Sequence, residues 1–266
     1  DDIYVQRVQA DGTVDPDWPT HGVALCTAAF NQTIPQIVTD GAGGAIVTWQ
    51  DGRNGTSNIY AQRVRAQGAA DPGWPANGGA VCSGIAGGQG IPQIASDGAG
   101  GAIVTWQDGR NGSPDIYAQR VLADGTADPG WPVNGIALSS AARVQSYPQI
   151  VSDGTGGAIV TWHDSRNIPG TVDIYDIYAQ RVLATGTVDP GWPANGVALC
   201  TAFSSQLYPA IVSDGAGGAI VTWYDRRSGQ PIDLIYQDIY AQRVNAAGVP
   251  QWTANGVAVC KATGNQ

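Results

Sequence analysis

Glutamate and methionine are absent from this 266-residue chain, lysine occurs once (Lys261), and phenylalanine and histidine occur twice each. Glu, Met and Lys are strong helix formers, and the 37 glycines are poor ones, so few helices are expected. No apolar run approaches the roughly 20 residues of a membrane-spanning helix, which argues against membrane insertion. The 22 acidic residues are all Asp and the net charge is -9. That charge would repel nucleic acid and anionic membranes. GxSxG, HExxH, GxxxxGK and CxxC signatures are all missing. On that ground no enzymatic activity and no cofactor are expected. The chain begins at Asp1 without a signal peptide, which reads as a processed mature segment or a piece of a longer protein.

What is present is a repeat. DIYVQRV (Asp2–Val8) returns as NIYAQRV (Asn58–Val64) and as DIYAQRV from Asp115, Asp176 and Asp238, at spacings of 56 to 62 residues. That period suits one four-stranded blade of a β-propeller. Each unit holds a Pro-started strand (PQIVTD, Pro35–Asp40), a DGAGG turn and a strand ending in WxD (AIVTWQD, Ala45–Asp51). The DIYAQRV strand, a DPGWP-type loop and a short fourth strand such as GVALC (Gly22–Cys26) complete it. Asp-Gly and Gly-Gly permit the positive φ angles of a tight hairpin. Val, Ile, Thr, Trp and Tyr supply the strand propensity.

The fold class expected is all-β: a β-propeller of four complete four-stranded blades plus an N-terminal two-strand half blade. It is read as one domain over 1–266, with the half blade at 1–26 and blades at about 34–82, 91–139, 147–200 and 208–260. Five third-plus-fourth pairs stand against four first-plus-second pairs. This leaves a five-bladed ring that lacks one hairpin, a piece of a longer array, a ring closed by four blades with a spare hairpin, or a chain that borrows strands from a neighbour.

The stretch PQIASDGAGGAIVTWQDGRNGSPDIYAQRVLADG (Pro92–Gly125) resembles the TolB-type, WD40-like propeller repeat of bacterial secreted and periplasmic proteins. It also resembles the DIYAQRV arrays of bacterial surface proteins. The resemblance implies a propeller and an extracellular, cell-surface or periplasmic location, and it fixes no ligand. The Trp of the second strand and the long DPGWP loop depart from the TolB pattern.

Most chemistry-bearing residues sit in the repeat frame. Four Trp lie in second strands (Trp49, Trp106, Trp162, Trp223) and five in the loops (Trp18, Trp74, Trp131, Trp192, Trp252). Blade packing is expected of both sets, with sugar stacking as the alternative for the loop set. Arg53, Arg110, Arg166 and Arg227 follow the WxD aspartates, where the guanidinium fork suits structural pairing or, alternatively, a carboxylate ligand. Cys26, Cys82, Cys200 and Cys260 share one repeat position and are expected as small buried hydrophobes. Asp40, Asp97, Asp153 and Asp214 precede Gly-rich turns and are read as turn caps. Calcium is the one cofactor left open there.

A single functional site needs residues that break the repeat. Removing repeat-frame aromatics leaves Phe30, Tyr147, Tyr175, Phe203, Tyr208, Tyr224 and Tyr236. All fall in the fourth-to-first connection or at the junction of second and third strands, which emerge on one face. Two insertions, 165–176 and 226–238, lie there too, while His163 and Tyr224 replace Gln50 and Gln107. His21 and His163 are placed in loops on opposite faces. The candidate ligand-binding set is Tyr175, Tyr236, Tyr224, His163, Tyr147, Tyr208 and Arg226, with Arg143 as a further polar neighbour. No catalytic or metal residues are assigned.

The expected function is a non-catalytic recognition module binding glycan or protein through this face. The alternatives are an extracellular assembly subunit that self-associates through the unpaired half blade, and a hydrolase-associated propeller domain.

Overall fold

The computed structural model describes residues 1–167, 174–228 and 237–262. Among these there is no helix, and every sheet is antiparallel. A half blade pairs Ile3–Val5 with Val23–Cys26. Four blades follow. Blade one holds Gln32–Thr39, Ala45–Asp51, Asn58–Arg65 and Gly79–Cys82, with Ala69–Ala70 as a short fifth strand. Blade two holds Gln89–Ser96, Ala102–Asp108, Asp115–Val121 and Ile136–Ser139. Blade three holds Gln145–Ser152, Ala158–Asp164, Asp176–Val182 and Val197–Cys200. Blade four holds Gln206–Ser213, Ala219–Asp225, Asp238–Val244 and Val257–Cys260. Within each blade the strands run in chain order, and the first strands of successive blades touch one another. This is a β-propeller of four full blades and a half blade.

The turn between first and second strands shows why the DGAGG sequence recurs. Asp40 Oδ1 accepts from the Ala42 and Gly44 amides, each at 2.8 Å, and Asp40 Oδ2 accepts from Arg63 Nε at 2.8 Å. A Cβ on Gly44 would stand 2.3 Å from the Val64 carbonyl oxygen, so only glycine fits that crossing. Asp97, Asp153 and Asp214 repeat the arrangement with Arg120, Arg181 and Arg243. Both oxygens of each of these carboxylates are thus engaged by turn amides and Arg. Among the described residues no group of three or more His, Cys or Asp side chains is set to hold a metal ion.

The core lies between blades. Ile46, Ile59 and Val81 of blade one pack against Val104, Trp106 and Tyr117 of blade two, and the later pairs repeat the pattern. Both faces of the second strands are therefore buried, which explains their near-continuous apolar sequence. The loop Trp residues are blade clamps. The indoles of Trp18, Trp74, Trp131 and Trp192 donate to Ala66, Ala123, Ala184 and Ala246 carbonyls of the next blade at 3.0–3.2 Å.

The WxDxR units of blades one, two and four form the same knot, while in blade three Arg166 holds Asp164 through Nη2 and its Nε has no partner among the described residues. Trp49 Nε1 donates to Asp51 Oδ2 at 2.7 Å, while Arg53 grips both carboxylate oxygens at 2.8 and 2.6 Å. The Arg53 guanidinium lies over the Tyr60 ring at 3.9 Å and donates to the Asn77 carbonyl at 2.7 Å. Burial pushes the Asp51 carboxyl up, but the Arg53 fork and the Trp49 indole outweigh it and hold it below the usual carboxylate range. With its donors engaged internally, the Arg of this unit serves the scaffold. All four cysteines are free thiols. Cys26, Cys82 and Cys200 are buried, and Cys260 is half-buried.

Candidate functional site

Inner strands begin at Gln32, Gln89, Gln145 and Gln206, two residues before the expected starts at 34, 91, 147 and 208. The reason is a bulge. Pairing with the second strand shifts between Thr33 and Gln36, and at the same place in the other blades. The residue before proline is thrown into the left-handed region: Ile34 (φ 53°), Ile91 (52°), Tyr147 (53°) and Tyr208 (51°). β-Branched and aromatic residues rarely occupy that region, so the position carries backbone strain. In blades three and four the strain presents an exposed tyrosine ring.

Five of the seven candidate residues come together there. Tyr147 and Tyr208 meet edge to face with centroids 5.1 Å apart. His163 lies 4.9 Å from Tyr147, 4.5 Å from Tyr175 and 6.0 Å from Tyr208. Tyr224 stands 6.3 Å from Tyr208. The result is a continuous aromatic cluster across the boundary of blades three and four, with Tyr147 and Tyr208 outward and His163 beneath. Arg226 is half-buried two residues after Tyr224. Its backbone amide donates to the Ser205 carbonyl at 3.0 Å, and its Nε is buried without a hydrogen-bond partner among the described residues. Tyr236 lies outside the described residues. Phe30 and Phe203 are exposed in the connections that precede inner strands.

His163 was expected in a loop. It instead occupies the second strand of blade three and is only 3 % exposed, because the rings of Tyr147 and Tyr175 pack against it, whereas Gln50, Gln107 and Tyr224 in the same slot are half-exposed. Burial drives its pKa down to about 4, so the ring is neutral at physiological pH. Its Nε2 shares a 2.5 Å hydrogen bond with Ser146 Oγ, and its Nδ1 has no partner among the described residues. Ser146 is a site residue that the search for stray aromatics could not find. Its signal is that the slot before the bulge varies from blade to blade: Thr33, Gly90, Ser146, Leu207.

The arrangement offers two exposed tyrosine rings, each with its hydroxyl, at the rim of the inner strands. Flat rings with convergent hydrogen-bonding groups suit a ligand that has both C–H faces and hydroxyls.

No family model matches the chain, and no curated protein matches it. Solved structures do share its fold. An α-L-arabinanase of Penicillium chrysogenum, complexed with arabinobiose, matches at a TM-score of 0.56 and 13% identity, over 86% of this chain and 69% of that one. The Hadza microbial sialidase Hz136 matches at 0.54 and 14% identity, over 85% of this chain and 47% of that one. This chain therefore spans about half of the sialidase's length. TolB of Acinetobacter baumannii matches at 0.47 and 13% identity, over 96% of this chain and 48% of that one. What the arabinanase and the sialidase share with this chain at these identities is the fold.

The expectation that the chain is not an enzyme is corrected by these matches, since glycoside-cleaving proteins share the fold. The physical reason is that a site assembled from several blades draws single residues from distant positions. It leaves no local motif, so missing motifs excluded nothing.

Proposed function

We propose that this protein recognises carbohydrate through the aromatic cluster of blades three and four, in an extracellular or periplasmic setting. The observation that carries the reading is the exposed Tyr147–Tyr208 pair, held on strained backbone above the buried His163. A sugar ring stacks its C–H face on the exposed tyrosine rings, and its hydroxyls meet the polar rim around them. That a fold-mate is complexed with arabinobiose supports the same class of ligand.

A glycan array probed with the full chain tests this, with mass spectrometry of each bound glycan to record any cleavage. The expected result is a set of related glycans whose signal falls at least about tenfold with Tyr147→Ala or Tyr208→Ala, the equivalent of losing roughly 1.4 kcal/mol. An array with no hits, or hits unaffected by both substitutions, refutes the proposal.

A further inference from the structure

The residue between Trp and Asp of each WxD unit keeps the geometry of the repeat but not its identity. It is Gln50, Gln107, His163 and Tyr224 in blades one to four. Each is next to last in its second strand. Each pairs with the residue just before the inner-strand bulge: Thr33, Gly90, Ser146 and Leu207. The four side chains therefore form an arc at one level of the face that carries Tyr147 and Tyr208.

This slot also reaches the bulge of the following blade. His163 of blade three lies 6.0 Å from Tyr208 of blade four. Gln50 of blade one leans over Gly90 of blade two, where a Cβ would stand 2.7 Å from its Oε1. Gly90 is the one glycine at its position, and its missing side chain leaves room for the Gln50 amide. The second strand of blade two touches the first strand of blade three in the same way. Gln107 thus borders Tyr147 on the side away from Tyr208.

The two glutamines are the polar members of the arc with binding capacity to spare. Both are half-exposed, and neither amide has a hydrogen-bond partner among the described residues. Gln107 Oε1 is enclosed, which leaves its Nε2 as the group open to the face. Glutamines elsewhere in the repeat are fully used. Gln62 and Gln119 donate through Nε2 to the Pro75 and Pro132 carbonyls, and their Oε1 atoms accept from the Arg63 and Arg120 amides. The arc holds no carboxylate, ammonium or guanidinium, and His163 is neutral at physiological pH. Uncharged amides match hydroxyls, and the net charge of -9 disfavours an anionic ligand.

We propose that Gln107 and Gln50 are the hydroxyl-reading half of the carbohydrate site, and that its ligand is a neutral oligosaccharide. This rests on the carbohydrate reading above and adds the ligand class and the residues that select it. A sugar stacked on Tyr147 meets Gln107. Facing sheets pack roughly 10 Å apart, so Gln50, one blade further on, is met by a later unit of the same chain.

The test arrays neutral oligosaccharides of graded length beside uronic-acid oligosaccharides, then titrates the tightest neutral binders by calorimetry. Gln107→Met and Gln50→Met keep the side-chain length and remove the hydrogen bonds. The slot already accepts Gln, His and Tyr, so both should fold, and urea unfolding checks each. Neutral ligands should be selected. Gln107→Met should lower affinity about tenfold at every length that binds. Gln50→Met should do so only for ligands longer than one unit, and Gly90→Ala, which crowds the Gln50 amide, should copy it. Preference for the acidic ligands, or wild-type affinity in either glutamine variant, overturns the proposal. If Tyr147→Ala loses binding while the glutamine variants keep it, stacking stands and this inference falls. If Tyr147→Ala and Tyr208→Ala both bind as wild type does, or no ligand binds, the carbohydrate reading falls with it.

Discussion

Tyr208 meets Tyr147 edge to face across the boundary of blades three and four, and both rings project from left-handed backbone at φ 51° and 53°. Ile34 and Ile91 hold the same conformation in blades one and two. The bulge is therefore a property of the repeat, and the tyrosine is a property of two blades. Folding and recognition can be separated at this position.

Tyr208→Ile tests that separation. Isoleucine already occupies the slot twice, and the ring is exposed, so denaturant unfolding is expected to shift by less than about 1 kcal/mol. Glycan binding is expected to fall as far as with Tyr208→Ala. A large loss of stability would show that the ring is part of the core.

His163 sets a pH dependence. Its pKa is depressed by burial to about 4 in the folded protein, from the ordinary 6.5. Between these values the unfolded chain binds the proton that the folded chain refuses, so stability falls as pH drops from 6.5 toward 4. The loss reaches at most roughly 3 kcal/mol and is absent above neutrality. Asp115 and Asp176, which burial raises, act in the opposite sense, but they are common to wild type and variant. Unfolding of wild type and His163→Gln across pH 4 to 7 isolates the term, because Gln50 and Gln107 are the repeat's own alternatives. Parallel pH profiles would contradict it.

The WxDxR knot is expected to be a major stabilising unit. Asp108→Ala leaves the Trp106 indole without its acceptor and strips Arg110 of a bidentate partner. A loss of about 3 kcal/mol is expected by urea denaturation, and a much smaller one for the exposed Asp11→Ala. Equal effects from the two would refute the ranking.

Thiol reactivity separates the cysteines. Burial pushes the Cys82 and Cys200 thiols up to about 12, and Cys26 is raised by the same cause. The thiolate is the nucleophile, so these three should resist alkylation in the native state. Half-buried Cys260 should label first. Peptide mapping after a short maleimide pulse checks this, and labelling of Cys82 ahead of Cys260 would contradict it.

The repeat made the strands, the turns and the half blade legible, because each strand class recurs with its own turn chemistry. Subtracting the repeat also picked out Tyr147, Tyr175, Tyr208 and Tyr224, which the fold brings together around His163. Two things were not legible. The inner-strand bulge interrupts period-two alternation, so Tyr147 and Tyr208 read as connection residues when they are strand residues. His163 read as a loop residue because its neighbours in the frame are Gln, and only the packing of Tyr147 and Tyr175 shows that it is buried. Ser146, small and polar, carried no signal beyond variation at its position.

The central claim is that the aromatic cluster holds carbohydrate, and calorimetric titration of one array-selected glycan tests it most directly. Wild type should bind, and Tyr147→Ala with Tyr208→Ala should lose affinity by about a hundredfold, roughly 2.7 kcal/mol. Tyr4→Ala, on the distant half blade, should bind as wild type does. A double variant that binds as tightly as wild type would contradict the account.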